Sequence, residues 1–222
     1  MKTLFQKLGI KPKNLNLYKT AFSHSSYVNE HKVKNDYERL EFLGDAVLDL
    51  VVSDYLFSHF KESEGEMTKE RASYVCENAN YSYATDLELS RYILVGHGEQ
   101  KEKQVKKAIM ADIFEALMGA IYIDLGYATA RKVILKIVIP YIENPKISFF
   151  KDYKSSLQEY VQTEQNGLEY HLVKEEGPAH DKKFTIVVYI NDICYGVGEG
   201  SSKKEAEQEA AKQALEKCVK GE

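Results

Sequence analysis

Residues 37–48 read Tyr-Glu-Arg-Leu-Glu-Phe-Leu-Gly-Asp-Ala-Val-Leu and carry acids at positions 38, 41 and 45. On a helix, residues three, four and seven apart share a face, so Glu38, Glu41 and Asp45 stack in one line. Their neighbours Leu40, Phe42, Leu43, Val47, Leu48, Leu50 and Val51 are apolar. A helix apolar almost all round is predicted to be buried, which puts the acidic stripe at the edge of a core. Residues 108–122 repeat the anomaly, with Asp112 and Glu115 as their only acids. Unpaired buried carboxylates are unfavourable, so such groups take a cation, a metal or a proton. Arg39 is the one arginine near the first set, and the second has none. Glu41, Asp45, Asp112 and Glu115 brought together would make an all-oxygen site. Hard divalent ions such as Mg²⁺ or Mn²⁺ prefer that chemistry, whereas Zn²⁺ wants His or Cys. A single acidic stripe is usually a solvated helix face; two acid sets inside apolar helices argue against that. Asp49 continues the first line and reads equally as an ordinary exposed acid.

Such acids need helices to hold them. Residues 1–143 read as almost wholly helical, with apolar residues at helical spacing over 15–22, 37–60, 67–89, 105–125 and 128–139. Pro140 and the run Glu143-Asn144-Pro145-Lys146 then interrupt the pattern. Beyond this point the grammar changes. Residues 152–164 read as a helix with Asp152 as N-cap, and 170–175, 183–190 and 193–199 as strands, the last two joined at Asn191-Asp192. Ser202 opens a final helix, Glu205 completes a capping-box pattern, and Ala206, Ala210, Ala211, Ala214 and Leu215 line one face. The expected architecture is an all-α domain over residues 1–145, a linker over 146–151, and a small α+β domain of order α-β-β-β-α over 152–222.

The 222 residues, 44% hydrophobic and 29% charged, exclude general disorder. No apolar run reaches membrane-spanning length, and the first residues lack the apolar core of a secretory signal. Three cysteines without a CxxC pair argue against a disulfide framework and for a reducing cytoplasm. Net charge is −4; the last 72 residues hold 10 lysines against 14 acids, and the first 150 balance at 20 each. Bulk charge therefore does not announce a nucleic-acid binder, and any such surface must be local. The six histidines and three cysteines show no metal-ligand spacing, and GxSxG and ExxH are both absent.

Glu38-Arg39-Leu40-Glu41-Phe42-Leu43-Gly44-Asp45-Ala46 closely resembles the signature of the ribonuclease III family of double-stranded-RNA endonucleases. The resemblance extends to Phe22-Ser23-His24-Ser25-Ser26-Tyr27, to Glu64-Gly65-Glu66-Met67-Thr68 and to Asp112-Ile113-Phe114-Glu115-Ala116, and the tail resembles a double-stranded-RNA-binding domain. It implies that Glu41, Asp45, Asp112 and Glu115 hold catalytic Mg²⁺ (Mn²⁺ substituting), with Asp45 and Glu115 as catalytic residues and Glu38 and Glu64 as additional cleft acids. It implies a homodimer formed through the helical domain, with one cut per subunit on opposite strands. The products would carry 5′-phosphate and 3′-hydroxyl ends with short 3′ overhangs. Implied substrates are structured precursors of ribosomal RNA and other transcripts.

The tail supplies three features suited to duplex RNA, which is gripped by shape at 2′-hydroxyls and phosphates. Ser155, Gln158, Glu159 and Gln162 lie on adjoining turns of one helix side. The loop Gly177-Pro178-Ala179-His180 matches the family loop that enters a second minor groove. Gly196-Val197-Gly198-Glu199-Gly200-Ser201-Ser202-Lys203-Lys204 ends at a helix N-terminus, where Ser202, Lys203 and Lys204 would hold phosphates. That loop lacks GxGxxG and GxxxxGK[ST], so it is not read as a nucleotide site. Glu205, Glu207 and Glu209 dilute the basic cluster. The competing class is a non-cleaving RNA-binding protein, which would not need acids in apolar helices.

Overall fold

Helices build the first unit, Met1–Phe150, and two of them form its seam. The computed structural model describes residues 1–100, 105–144, 149, 153–163, 167–178 and 182–220. In chain order the helices are α1 (Lys2–Leu8), α2 (Leu15–Ala21), α3 (Ser25–His31), α4 (Glu38–His59), α5 (Glu64–Val75), α6 (Glu77–Asp86), α7 (His97–Gln100), α8 (Lys107–Leu125) and α9 (Tyr127–Ile142). Helix α4 packs along α8 more extensively than along any other element. The cause lies in two glycines. A β-carbon on Gly44 would stand 1.8 Å from the main-chain oxygen of Glu115, and one on Gly119 would stand 2.2 Å from that of Leu40. Behind this backbone contact, Leu48, Val51 and Val52 of α4 meet a core that includes Ile113, Phe114, Leu117 and Ile121 of α8, all fully buried. Helices α6, α9 and α2 flank α8.

Three expectations are corrected. Helix α4 is not buried all round: Phe42 is 82% exposed and Leu50 56%, and with Phe57 they form an outward apolar line. Its hydrophobic residues serve two faces, and the one carrying Phe42, Leu50 and Phe57 is not covered by the described residues. The helix expected over 67–89 is broken at Cys76, whose extended backbone (φ −72°, ψ 165°) ends α5 and starts α6. The Ser63–Glu66 capping box, with Ser63 N–H donating to Glu66 at 2.9 Å, begins α5 earlier than the apolar pattern does. Pro140 does not interrupt the helix; it lies inside α9, which runs on to Ile142. In the last turn its missing N–H removes one bond, and its fixed φ suits a helix.

The segment ahead of α4 is tied down by backbone bonds. His24 N–H donates to Leu94 at 2.9 Å, Leu94 N–H to Phe22 at 2.8 Å, and Tyr37 N–H to Ser23 at 3.0 Å. Tyr37 therefore enters α4 from a fixed position.

The second unit, Lys151–Glu222, contains α10 (Tyr153–Thr163), β1 (Leu168–Glu176), β2 (Lys183–Ile190), β3 (Ile193–Gly200) and α11 (Lys203–Lys220). The strands form an antiparallel sheet in the order β1-β2-β3. Asn191 and Asp192 both take positive φ (49° and 63°), as a tight turn between β2 and β3 requires. Leu157 and Val161 of α10, Val188 and Ile190 of β2, and Ala210, Ala211 and Ala214 of α11 make the core. The alanine face of α11 sits against glycines of β3: a β-carbon on Gly198 would stand 2.1 Å from the Ala206 oxygen. Ser202 accepts from Glu205 N–H at 3.2 Å, but the Glu205 carboxylate returns to Ser201 N–H at 2.8 Å, one residue before the expected partner.

The expected linker 146–151, apart from Phe149, and the expected cap Asp152 lie outside the described residues. The Phe149 ring packs against Tyr141 and Tyr83, with centroids 5.4 and 5.9 Å apart. Among the described residues no helix is long and apolar enough to cross a membrane. Cys76, Cys194 and Cys218 form no disulfide with one another.

Candidate active site

The seam between α4 and α8 decides where the acids stand. Because the backbones touch at Gly44 and Glu115, the carboxylates of Glu41 and Asp45 come within range of those of Asp112 and Glu115. Burial, then the charges of Asp45, Glu41 and Asp112, push Glu115 up to about 8. Burial, then Asp112, Glu38 and Asp45, push Glu41 up to about 7. Asp112 is raised chiefly by burial, against the opposing hydroxyl of Tyr37 and charge of His24. Asp45, exposed at the rim, is raised by partial desolvation and by Asp49. Burial is the larger cause at both glutamates, and the neighbouring negative charges add to it.

Among the described residues no lysine or arginine pairs with any of these four acids. Arg39 is exposed and lines a cleft on the outer side of α4. The donor set is thus all oxygen, crowded, and unpaired with any described lysine or arginine, which fits a hard divalent ion. Among the described residues no group of three acids, histidines or cysteines is close enough to form a finished metal-ligand set. Like charges of this kind hold apart until a cation offsets their repulsion.

Two neutral side chains steady the acids of α8. The Tyr37 hydroxyl donates to Asp112 Oδ2 at 3.0 Å. Burial and the charges of Asp112, Glu41 and Glu38 raise that hydroxyl well above the usual tyrosine range, so it remains a donor. The Asn80 amide, on α6, donates to Glu115 Oε1 at 2.6 Å and to the Val75 carbonyl at 3.2 Å. Asn80 is completely buried, and its Oδ1 has no partner among the described residues. Orphaning a buried carbonyl costs about 1–3 kcal/mol. Sequence reasoning missed Asn80 and Tyr37. Tyr37 has a weak signal, since it directly precedes the acidic helix; Asn80, in Glu77-Asn78-Ala79-Asn80-Tyr81, has none.

The additional acids fare differently. Glu38 opens α4, exposed, and its charge acts on Glu41. Glu64 opens α5, exposed, and accepts from the Thr68 hydroxyl at 3.1 Å; its charge is not among those raising Glu41 or Glu115.

In the second unit, Gln158, Glu159 and Gln162 are exposed along α10 and Ser155 is half-buried. Ser202, Lys203 and Lys204 are exposed at the start of α11, with Lys203 Nζ 6.0 Å from the centre of the Phe184 ring. Gly177 takes φ 94° where β1 ends, and His180 lies outside the described residues.

Comparison with known proteins matches both units. A family model described as ribonuclease-III-like covers residues 14–142, and one described as a double-stranded RNA binding motif covers residues 153–218. The chain is 52% identical over 221 residues to ribonuclease 3 of Onion yellows phytoplasma, covering 99% of this chain and 92% of that one. It is 48% identical over 217 residues to ribonuclease 3 of Bacillus cytotoxicus, covering 96% and 89%. A solved nuclease domain of ribonuclease III from Campylobacter jejuni, reported for flexibility in a region involved in its dimer formation, is 39% identical with a TM-score of 0.58. That match covers 62% of this chain and 94% of the solved one. With both models matched in order and relatives about half identical along nearly their whole length, the chain belongs to the ribonuclease III family and is an endoribonuclease of double-stranded RNA.

Proposed function

We propose that the chain hydrolyses phosphodiesters on both strands of duplex RNA with a divalent ion, Mg²⁺ or Mn²⁺, held by Glu41, Asp45, Asp112 and Glu115. Bound there, the ion would lower the pKa of a water and offset charge on the phosphate and the departing 3′ oxygen. The observation that carries this reading is the crowding of raised carboxyls at the α4–α8 seam with no lysine or arginine paired to them among the described residues. The protein supplies the positions: Gly44 and Gly119 set the helix spacing, while Tyr37 and Asn80 restrain one oxygen each of Asp112 and Glu115. Glu41 and Glu115 keep a proton near neutral pH until a cation replaces it. Asp45 and Glu115 are assigned as catalytic, Glu38 and Glu64 as lesser cleft acids. The products would bear 5′-phosphate and 3′-hydroxyl ends with short 3′ overhangs, and precursor ribosomal RNA and other structured transcripts would be the substrates, in the cytoplasm.

The domain limits we assign are 1–145 for catalysis, 146–151 as linker and 152–222 for RNA binding. Ser155, Gln158, Glu159 and Gln162 would meet one minor groove and His180 another, with Ser202, Lys203 and Lys204 on the phosphates between. A homodimer is supported by the outward apolar line Phe42, Leu50 and Phe57 beside a cleft of about 760 Å³ lined by Leu17, Leu40, Leu43 and Ile123. A ring and a cleft on one face suit a self-complementary two-fold contact.

The test is Glu115→Gln on a labelled duplex with and without Mg²⁺. Cleavage is expected to fall about a hundred- to a thousandfold with duplex binding retained, the scale of losing a principal electrostatic group. Unchanged turnover would show that Glu115 takes no part in the chemistry.

A further inference from the structure

We propose that Asn80 is a positioning residue of the acidic site: its amide fixes Glu115 Oε1 and leaves Oε2 as the oxygen offered to a divalent cation. The inference rests on Glu115 being a metal ligand, as proposed above, and it adds a residue from outside the two acid-bearing helices.

The geometry has three parts. The Asn80 Nδ2 has two protons and meets two acceptors, Glu115 Oε1 at 2.6 Å and the Val75 carbonyl at 3.2 Å. Turning the amide over would set Oδ1 against two oxygens, so the network itself fixes which end faces Glu115. The Val75 carbonyl is available because α5 ends there, at the extended Cys76. Asn80 is thereby held from behind by one helix end while it holds Glu115 in front.

The second part is what the amide forgoes. Asn80 is wholly buried, Oδ1 has no partner among the described residues, and Ala79, Ala84 and Phe114 of the neighbouring core are fully buried apolar residues. An apolar side chain would leave no orphaned carbonyl. Packing alone therefore does not account for asparagine at this position.

The third part is the contrast between helices. Among the described residues neither Glu41 nor Asp45 receives a side-chain donor, whereas Asp112 and Glu115 each receive one. The α8 acids are restrained and the α4 acids are free to adjust. Hydrogen bonds that orient a ligating carboxylate typically change cation affinity or activity by about 10–100-fold when removed.

The experiment uses full-length Asn80→Leu, with Asn80→Ala as the smaller replacement if leucine does not fit. Mn²⁺ binding is read by the loss of free-ion EPR signal, alongside Tm in EDTA and kcat and KM on a duplex. The expected result is a Mn²⁺ dissociation constant raised about tenfold or more. Tm of the leucine variant should change little, the relieved Oδ1 offsetting the two lost Nδ2 bonds, and KM for duplex should be unchanged. Unaltered Mn²⁺ affinity in a folded variant overturns the proposal, as does a lowered Tm with normal affinity, which would make Asn80 a packing residue. Glu115→Gln run in parallel separates the two levels. If it leaves Mn²⁺ binding intact, the acidic-site reading itself fails. If it weakens binding while Asn80→Leu does not, only the role of Asn80 fails. The double variant should bind no more weakly than Glu115→Gln alone.

Discussion

Gly44 lies against the main-chain carbonyl of Glu115, with 1.8 Å between that oxygen and the place a β-carbon would occupy. The contact is backbone to backbone, so no rotamer change relieves it. Gly44→Ala must push α4 and α8 apart, which is expected to cost about 3 kcal/mol. That corresponds to roughly 6–12 °C in Tm. Cleavage should fall further than stability alone explains, because the two acid sets separate with the helices. Calorimetry and a duplex cleavage assay check both, and a variant with normal Tm and activity would mean the seam is softer than this contact implies.

The raised carboxyls give the protein a pH signature. Unfolded glutamates titrate near about 4.3, whereas Glu41 and Glu115 in the folded, metal-free protein titrate near about 7 and 8. Between these values the native state holds more protons, so stability falls as pH rises from about 4 to 8. Melting in EDTA across that range should show the decline. Added Mg²⁺ should restore most at the alkaline end, and Glu115→Gln should flatten the slope. A melting temperature in EDTA that rises across pH 6–8 would contradict the repulsion assigned to these groups.

Tyr37→Phe removes the hydroxyl on Asp112 and little else. A lost hydrogen bond to a charged acceptor costs about 1.5–3 kcal/mol when buried, and less is expected here because Asp112 is only partly covered. The half-saturating Mg²⁺ concentration for cleavage should rise several-fold. Identical metal titration curves for the two proteins would leave Tyr37 without a positioning role.

Phe42→Asp tests the proposed dimer. The ring is 82% exposed in the protomer, so helix content should not change. Light scattering at micromolar concentration should report the mass of one chain in place of two. A persistent dimer would show that association runs through another face.

Lys203 and Lys204 are exposed at the start of α11. Replacing both by alanine should weaken duplex binding evenly across sequences and reduce the salt slope by about two, one for each lysine. Gel shifts over a range of KCl concentrations measure this; an unaltered slope would place the phosphates elsewhere.

The acidic set was legible because Glu41, Asp45, Asp112 and Glu115 break an apolar pattern, and burial makes such breaks chemically informative. The sheet was legible from its β-branched runs and from Asn191-Asp192, whose left-handed backbone is a local requirement. What local pattern does not carry is the partner of each face. Phe42 and Leu50 have the composition of core residues and are exposed, since periodicity does not distinguish a face packed on α8 from one awaiting another molecule. Asn80 is opaque for the opposite reason: in a polar stretch nothing marks one asparagine as buried. The break at Cys76 was hidden because apolar spacing continues across it, and only the Ser63 cap fixes where α5 begins.

The extended backbone at Cys76 sets a phase. Each residue of a helix advances the side-chain direction by about 100°, so Asn80 reaches Glu115 only at its present count from that break. One residue inserted or deleted between 76 and 80 would swing the amide out of the seam and bring a neighbour round in its place. At the exposed positions 77 and 78 the stretch should therefore tolerate changes of residue type far better than changes of length.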